Sequence, residues 1–135
     1  MGYETRIYLC ERLTFPRAPL MEDYLKIAMI DLSKAGDGEV AKVFKQGRER
    51  SKAWIKKGGN APYAEWRLCR ECEREDPIIE DMYGDPLGAN TAEEVLLALK
   101  HDNEKDRYRR FDIAIAMIEA AMGKFRDLHI LSFGH

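Results

Sequence analysis

Polar and apolar side chains alternate along residues 3–13. Tyr3, Thr5, Ile7, Leu9 and Leu13 fall on one side, with Glu4, Arg6 and Arg12 on the other. Period two over this length predicts a half-buried strand. Residues 15–23 carry Pro16 and Pro19 and read as a loop. Residues 24–32 (YLKIAMIDL) are apolar on both sides after Ile27, as expected of a central strand paired to the first and covered by helices. Val40, Val43 and Phe44 follow at helical spacing, which predicts a short helix stopped near Gly47. Residues 51–57 (SKAWIKK) then alternate bases with apolar positions, residues 58–62 make a turn, and residues 63–69 return as a strand. Tyr63, Trp66 and Cys69 also align on a helix, so that last stretch has two readings.

The C-terminal half is more sharply patterned. Thr91 followed by Glu94 is a capping box that opens a helix through about His101. Asp102 or Asn103 is the expected cap of a second helix, in which Tyr108, Phe111, Ile115, Ile118, Met122 and Phe125 form one apolar stripe. Residues 113–118 (IAIAMI) are apolar nearly all round, which calls for deep burial or sharing with a second copy as a homodimer. Residues 127–133 read as a closing strand. The expectation is a single α+β domain over residues 1–135: an antiparallel sheet, two consecutive C-terminal helices packed on one face, and a final C-terminal strand.

Length and composition narrow the class. A chain of 135 residues buries roughly two-thirds of its unfolded surface and needs no metal or disulfide staple. The longest apolar run, 113–118, is far short of the ~20 residues of a membrane span. The first residues lack both the pattern of a signal peptide and the Ser or Thr of a myristoylation signal. Three cysteines, Cys10, Cys69 and Cys72, are an odd number and fit a reducing cytoplasm. The net charge of −2 conceals segregation: seven bases against one acid between residues 42 and 57, then nine acids against one base between 75 and 104. Such asymmetry supports two partner surfaces of opposite sign, or an internal or intersubunit match.

Residues 73–88 (EREDPIIEDMYGDPLG) hold six carboxylates, and they invite a metal hydrolase reading. Asp76, Asp81 and Asp85 would have to converge on Mg²⁺, with a Lys or His to handle the nucleophile. No Glu-x-Lys and no nearby histidine follows, whereas Asp-Pro steps and Gly84 suit solvated turns. Structural turn and interaction rim is the favoured reading, with Glu80, Asp81, Tyr83 and Asp85 as an acidic binding surface. Cys69 and Cys72 have the spacing of half a zinc site, but His101, His129, His135 and Cys10 offer no paired second half. Lys56 and Lys57 precede Gly58 and Gly59, the reverse of a phosphate loop. Lys52, Trp54, Lys56 and Lys57 instead suggest a basic face that grips phosphates with a base stacked on the indole; the alternative is that Trp54 faces the core. None of the three serines lies in a nucleophile elbow. Arg109 and Arg110 stand where the second helix begins, a costly place for bases that acids of the Glu80–Asp85 loop, or a ligand, would offset; the alternative is two solvated side chains.

The stretch from Glu80 to Leu87, the capped helix, Tyr108 to Phe111 and the closing residues 127–135 resemble small uncharacterised proteins of phages and prophages. The resemblance brings no activity and no catalytic residues. It implies a compact accessory protein that binds host machinery, including defence nucleases such as CRISPR–Cas effectors.

The combined reading is of a non-enzymatic binding protein in the host cytoplasm, without cofactor or metal. It would be a phage-borne inhibitor or modulator of a host system, acting through charged surfaces on a host protein or nucleic-acid-handling complex. Two alternatives stand beside it: a small Mg²⁺-dependent nuclease using Asp76, Asp81 and Asp85, and an oligomeric sponge that holds a nucleotide signal with Arg109, Arg110 or Lys57.

Overall fold

The computed structural model describes residues 4–12, 23–59, 61–66 and 80–134, of which residues 23 and 63–66 by their backbone alone. Eight elements follow in chain order: β1 (Thr5–Arg12), β2 (Asp23–Ser33), α1 (Glu39–Lys56), β3 (Tyr63–Trp66), β4 (Gly88–Thr91), α2 (Ala92–Lys105), α3 (Arg109–Met122) and β5 (Leu128–Gly134). The strands form one sheet in the order β3-β2-β1-β5-β4. Four of them pair antiparallel, and β3 joins β2 in parallel at the far edge. The chain therefore has the expected α+β fold, with α2 and α3 consecutive and a closing strand. The parallel pair follows from the helix α1 between β2 and β3, since parallel neighbours need a long crossover.

The first strand is more central than its alternation indicates. Both faces of β1 are covered, Ile7 and Leu9 on one side and Tyr8 and Cys10 on the other. Pairing with β2 and β5 at once makes β1 the central strand, and on its second face Tyr8 and Cys10 pack with Tyr24, Leu87, Leu131 and Phe133. On the Ile7 face the strand residues Ile30, Leu32, Leu128 and Ile130 meet Val40 and Phe44 of α1, Val95 and Leu99 of α2, and Phe111, Ala114 and Ile118 of α3. This is the main core. Residues 113–118 divide accordingly: Ala114 and Ile118 are buried, Ile115 and Met117 half-buried, and Ile113 is 55% exposed.

Helix α1 does not stop at Gly47 but continues to Lys56, absorbing the segment expected to alternate. Gly47 is a point of close approach, not a terminator: a Cβ there would lie 2.5 Å from Asn90 Oδ1. The second half of α1 runs along β4 and occupies its open edge. Ser51 Oγ donates to Leu87 O (2.8 Å), Arg50 Nη2 to Ala89 O (3.0 Å), and Asn90 Nδ2 to Val43 O (2.8 Å). The helix thus covers this edge of the sheet, with the Ala89 carbonyl of β4 bonded by Arg50 and the Asn90 side chain of β4 bonded back to the helix.

The capping box at α2 forms as expected, Glu94 N donating to Thr91 Oγ1 and Thr91 N to Glu94 Oε1. Asp102 and Asn103, however, do not cap the next helix, because α2 extends through both to Lys105. Asp102 instead accepts from Glu39 N and Val40 N, each at 2.9 Å, and so caps α1 from another element. Asn103 Oδ1 accepts from Tyr108 N (2.7 Å) and its amide donates to Asp112 (2.8 Å), tying the α2–α3 turn.

Candidate functional site

The described part of the acidic stretch, residues 80–86, is a tight turn closed by one strand-like bridge. Glu80 bridges to Pro86, Asp81 N donates to Asp85 O (2.9 Å), and Gly84 takes φ +81°, where a side chain would be strained. Asp81 is only 6% exposed. Its Oδ1 accepts from Tyr83 N (2.8 Å) and Asp85 N (3.1 Å), an Asx-type closure of the turn. The carboxylate thus faces its own backbone, not a partner, and the acidic rim reduces to Glu80 and Asp85. Met82 N donates to Gly134 O (3.1 Å) and pins the turn to the end of β5. What this hydrogen-bonded loop presents outward is Met82, 73% exposed, and Tyr83, 57% exposed.

Those facts weaken the metal reading at its centre. An Asp81 oxygen committed to two amides is poorly placed to bind Mg²⁺, and Asp85 lies 3.6 Å from Lys52 Nζ. Among the described residues no three His, Cys, Asp or Glu side chains gather as a metal set. Asp76, Cys69, Cys72 and His135 lie outside the described residues. Cys10 is fully buried in β1, where burial pushes its thiol far up and the neighbouring Lys26 ammonium offsets only part of that.

The basic segment is helical rather than a hairpin, and its residues part company. Lys52, Lys56 and Lys57 are exposed, while Trp54 turns inward, half-buried, with Gly59 closed against its ring. The indole Nε1 is buried, with no acceptor among the described residues. Trp54 lines a cavity of about 280 Å³ with Arg12, Tyr24, Arg50, Glu94 and His129. Arg50 is occupied there, paired to Glu94 at 3.1 Å. The opposite charges of the two segments therefore partly match within the chain: Lys52 with Asp85, and Arg50 with Glu94.

The two arginines at the start of α3 also separate. Arg110 Nη1 donates to Asp31 O (2.6 Å), a strand carbonyl and not the acidic loop. Arg107, just before them, pairs with Asp112 at 3.1 Å. The Asp112 carboxyl is held below the usual range, first by the Asn103 hydrogen bond and then by Arg107. Arg109 is exposed and has no hydrogen-bond or ion-pair partner among the described residues. It lines a cleft of about 590 Å³ with Lys34, Lys105 and Arg107. Sequence pattern alone missed this cleft, because Lys34 and Lys105 lie 71 residues apart, about half of the chain.

No helix among the described residues is long and apolar enough to cross a membrane. No family model, curated protein or solved structure matches the chain.

Proposed function

We propose that this chain is a binding protein that docks through the turn at residues 80–85. In the phage accessory context that its C-terminal half resembles, it would inhibit or modulate a host nucleic-acid-handling protein inside the host cell. One observation carries the reading. The turn holds Met82 and Tyr83 outward on a backbone closed by Asp81 and anchored to β5, with Glu80 and Asp85 beside them. Large side chains exposed on a rigid loop are what an interface anchor needs, since little ordering entropy is lost on contact. The flanking carboxylates suit a partner groove built to hold nucleic acid, where they would steer association more than they would add affinity. Self-association through the exposed Ile113 side of α3 belongs to the same proposal.

A photo-crosslinking side chain at position 82, compared with one at the equally exposed Leu97, tests the docking surface in host lysate. The expected result is one nucleic-acid-handling protein captured from position 82 only and released by competition with the unlabelled chain. Adducts of the same partner at both positions, or at neither, would remove the turn from the interface. A Mg²⁺-dependent cleavage abolished by Asp81→Asn, with capture intact, would replace binding by catalysis.

A further inference from the structure

We propose that the cleft between the β2–α1 connection and the α2–α3 turn is a site for an organic phosphate of nucleotide size. Its volume, about 590 Å³, falls in the ordinary range of small-molecule sites. Lys34, Lys105, Arg107 and Arg109 line it, against the two carboxylates Asp102 and Asp106. Asp102 is already committed to the first turn of α1, and Arg107 to Asp112. That leaves Arg109 as a guanidinium with no hydrogen-bond or ion-pair partner among the described residues, beside two exposed lysines.

The placement of Arg109 is the telling feature. It is the first residue of α3, where the helix already carries partial positive charge, so a base there opposes folding. Arg110 escapes that cost by reaching Asp31 O, but Arg109 does not. A residue that breaks a local rule with no compensating contact among the described residues is what functional sites show, and a bound anion would offset its charge. Guanidinium and ammonium groups lining one recess favour a phosphate over a lone carboxylate, because the phosphate offers more acceptor oxygens and charge. The recess also has an apolar wall: Tyr108 and Phe111 line it, their rings stacked 5.2 Å apart at 18°. Phosphate alone would leave that wall unused, whereas a nucleoside phosphate would cover it.

Titration calorimetry with ADP, inorganic phosphate and adenosine as separate probes decides the point. ADP should bind more tightly than either fragment, and Arg109→Ala should weaken it by about tenfold or more, the loss of one charge-assisted contact. Arg109→Lys should recover part of that loss, and Lys45→Ala, an exposed base on α1, should change nothing. Arg109→Ala removes an unfavourable charge from a helix start, so its thermal midpoint should not fall and weakened binding would not reflect unfolding. Absence of ADP binding at millimolar concentration, equal binding by Arg109→Ala, or inorganic phosphate binding as tightly as ADP would each overturn the assignment. The site uses no residue of the 80–85 turn, so this outcome and that of the crosslinking experiment are independent.

Discussion

Asp102→Ala tests the long-range logic of the fold more directly than any core deletion. Asp102 sits in α2 and accepts from the first two amides of α1, both at 2.9 Å, with its side chain 14% exposed. Gly38 at the start of α1 offers no side-chain cap, so nothing local replaces it. Losing an N-cap acceptor costs ~1 kcal/mol, and losing a carboxylate at a partly buried helix start adds ~1–2 kcal/mol. The expected loss is therefore ~2–3 kcal/mol, or ~6–12 °C in Tm for a chain of this size. Asp102→Asn retains one acceptor and should lose only ~1 kcal/mol. Denaturant unfolding followed by circular dichroism reads both values. A cycle with Gly38→Ala adds a stricter check, because the new Cβ would lie 2.6 Å from Asp102 Oδ1. The glycine substitution should be costly in the parent and nearly harmless once Asp102 is alanine. The pH dependence has a defined sign. Burial raises the Asp102 carboxyl, but the amides of Val40 and Glu39 and the His101 contact lower it by more, leaving it below the ordinary value of about 3.9. A depressed folded pKa stabilises above the unfolded value, and that stability drains away as pH falls through the folded one. Acid unfolding should thus begin below about pH 5 and be blunted in Asp102→Asn. A loss under ~0.5 kcal/mol in Asp102→Ala, or equal Gly38→Ala costs in both backgrounds, would refute the cap.

Two further substitutions separate local propensity from packing. Ile118 is fully buried and Ile115 only half-buried. Ile118→Ala should therefore cost ~2–5 kcal/mol and Ile115→Ala clearly less; equal midpoints in urea would mean that the core is misplaced. Gly47→Ala ought to stabilise a helix interior by ~1 kcal/mol, yet the clash with Asn90 should reverse the sign to a net loss of ~1–2 kcal/mol. A higher Tm for that variant would show that Asn90 yields freely.

Sequence by itself determined the parts of this protein that depend on local periodicity and local chemistry. The α2 capping box needs only Thr91 and Glu94 three residues apart, and it forms as read. The stripe through Phe111 and Ile118, the β1–β2 pairing, the turn at Gly84 and the closing strand are local in the same sense, since period and turn residues report dihedrals and faces. Partners across the chain were decided by tertiary structure alone. Tyr8 and Cys10 are buried in a second cluster with Tyr24, Leu87 and the β5 residues Leu131 and Phe133, neighbours absent from the pattern of residues 3–13. Gly47 read as a helix stop because its close neighbour, Asn90, lies in a later strand. Asp102 read as the cap of the following helix but serves a preceding one, and Arg110 finds a strand carbonyl where an acidic loop was expected. Asp81, counted among exposed acids, is turned inward by two backbone amides. In each case a side chain's local class was legible, while the identity of its partner depended on how distant elements came together, which no local period encodes.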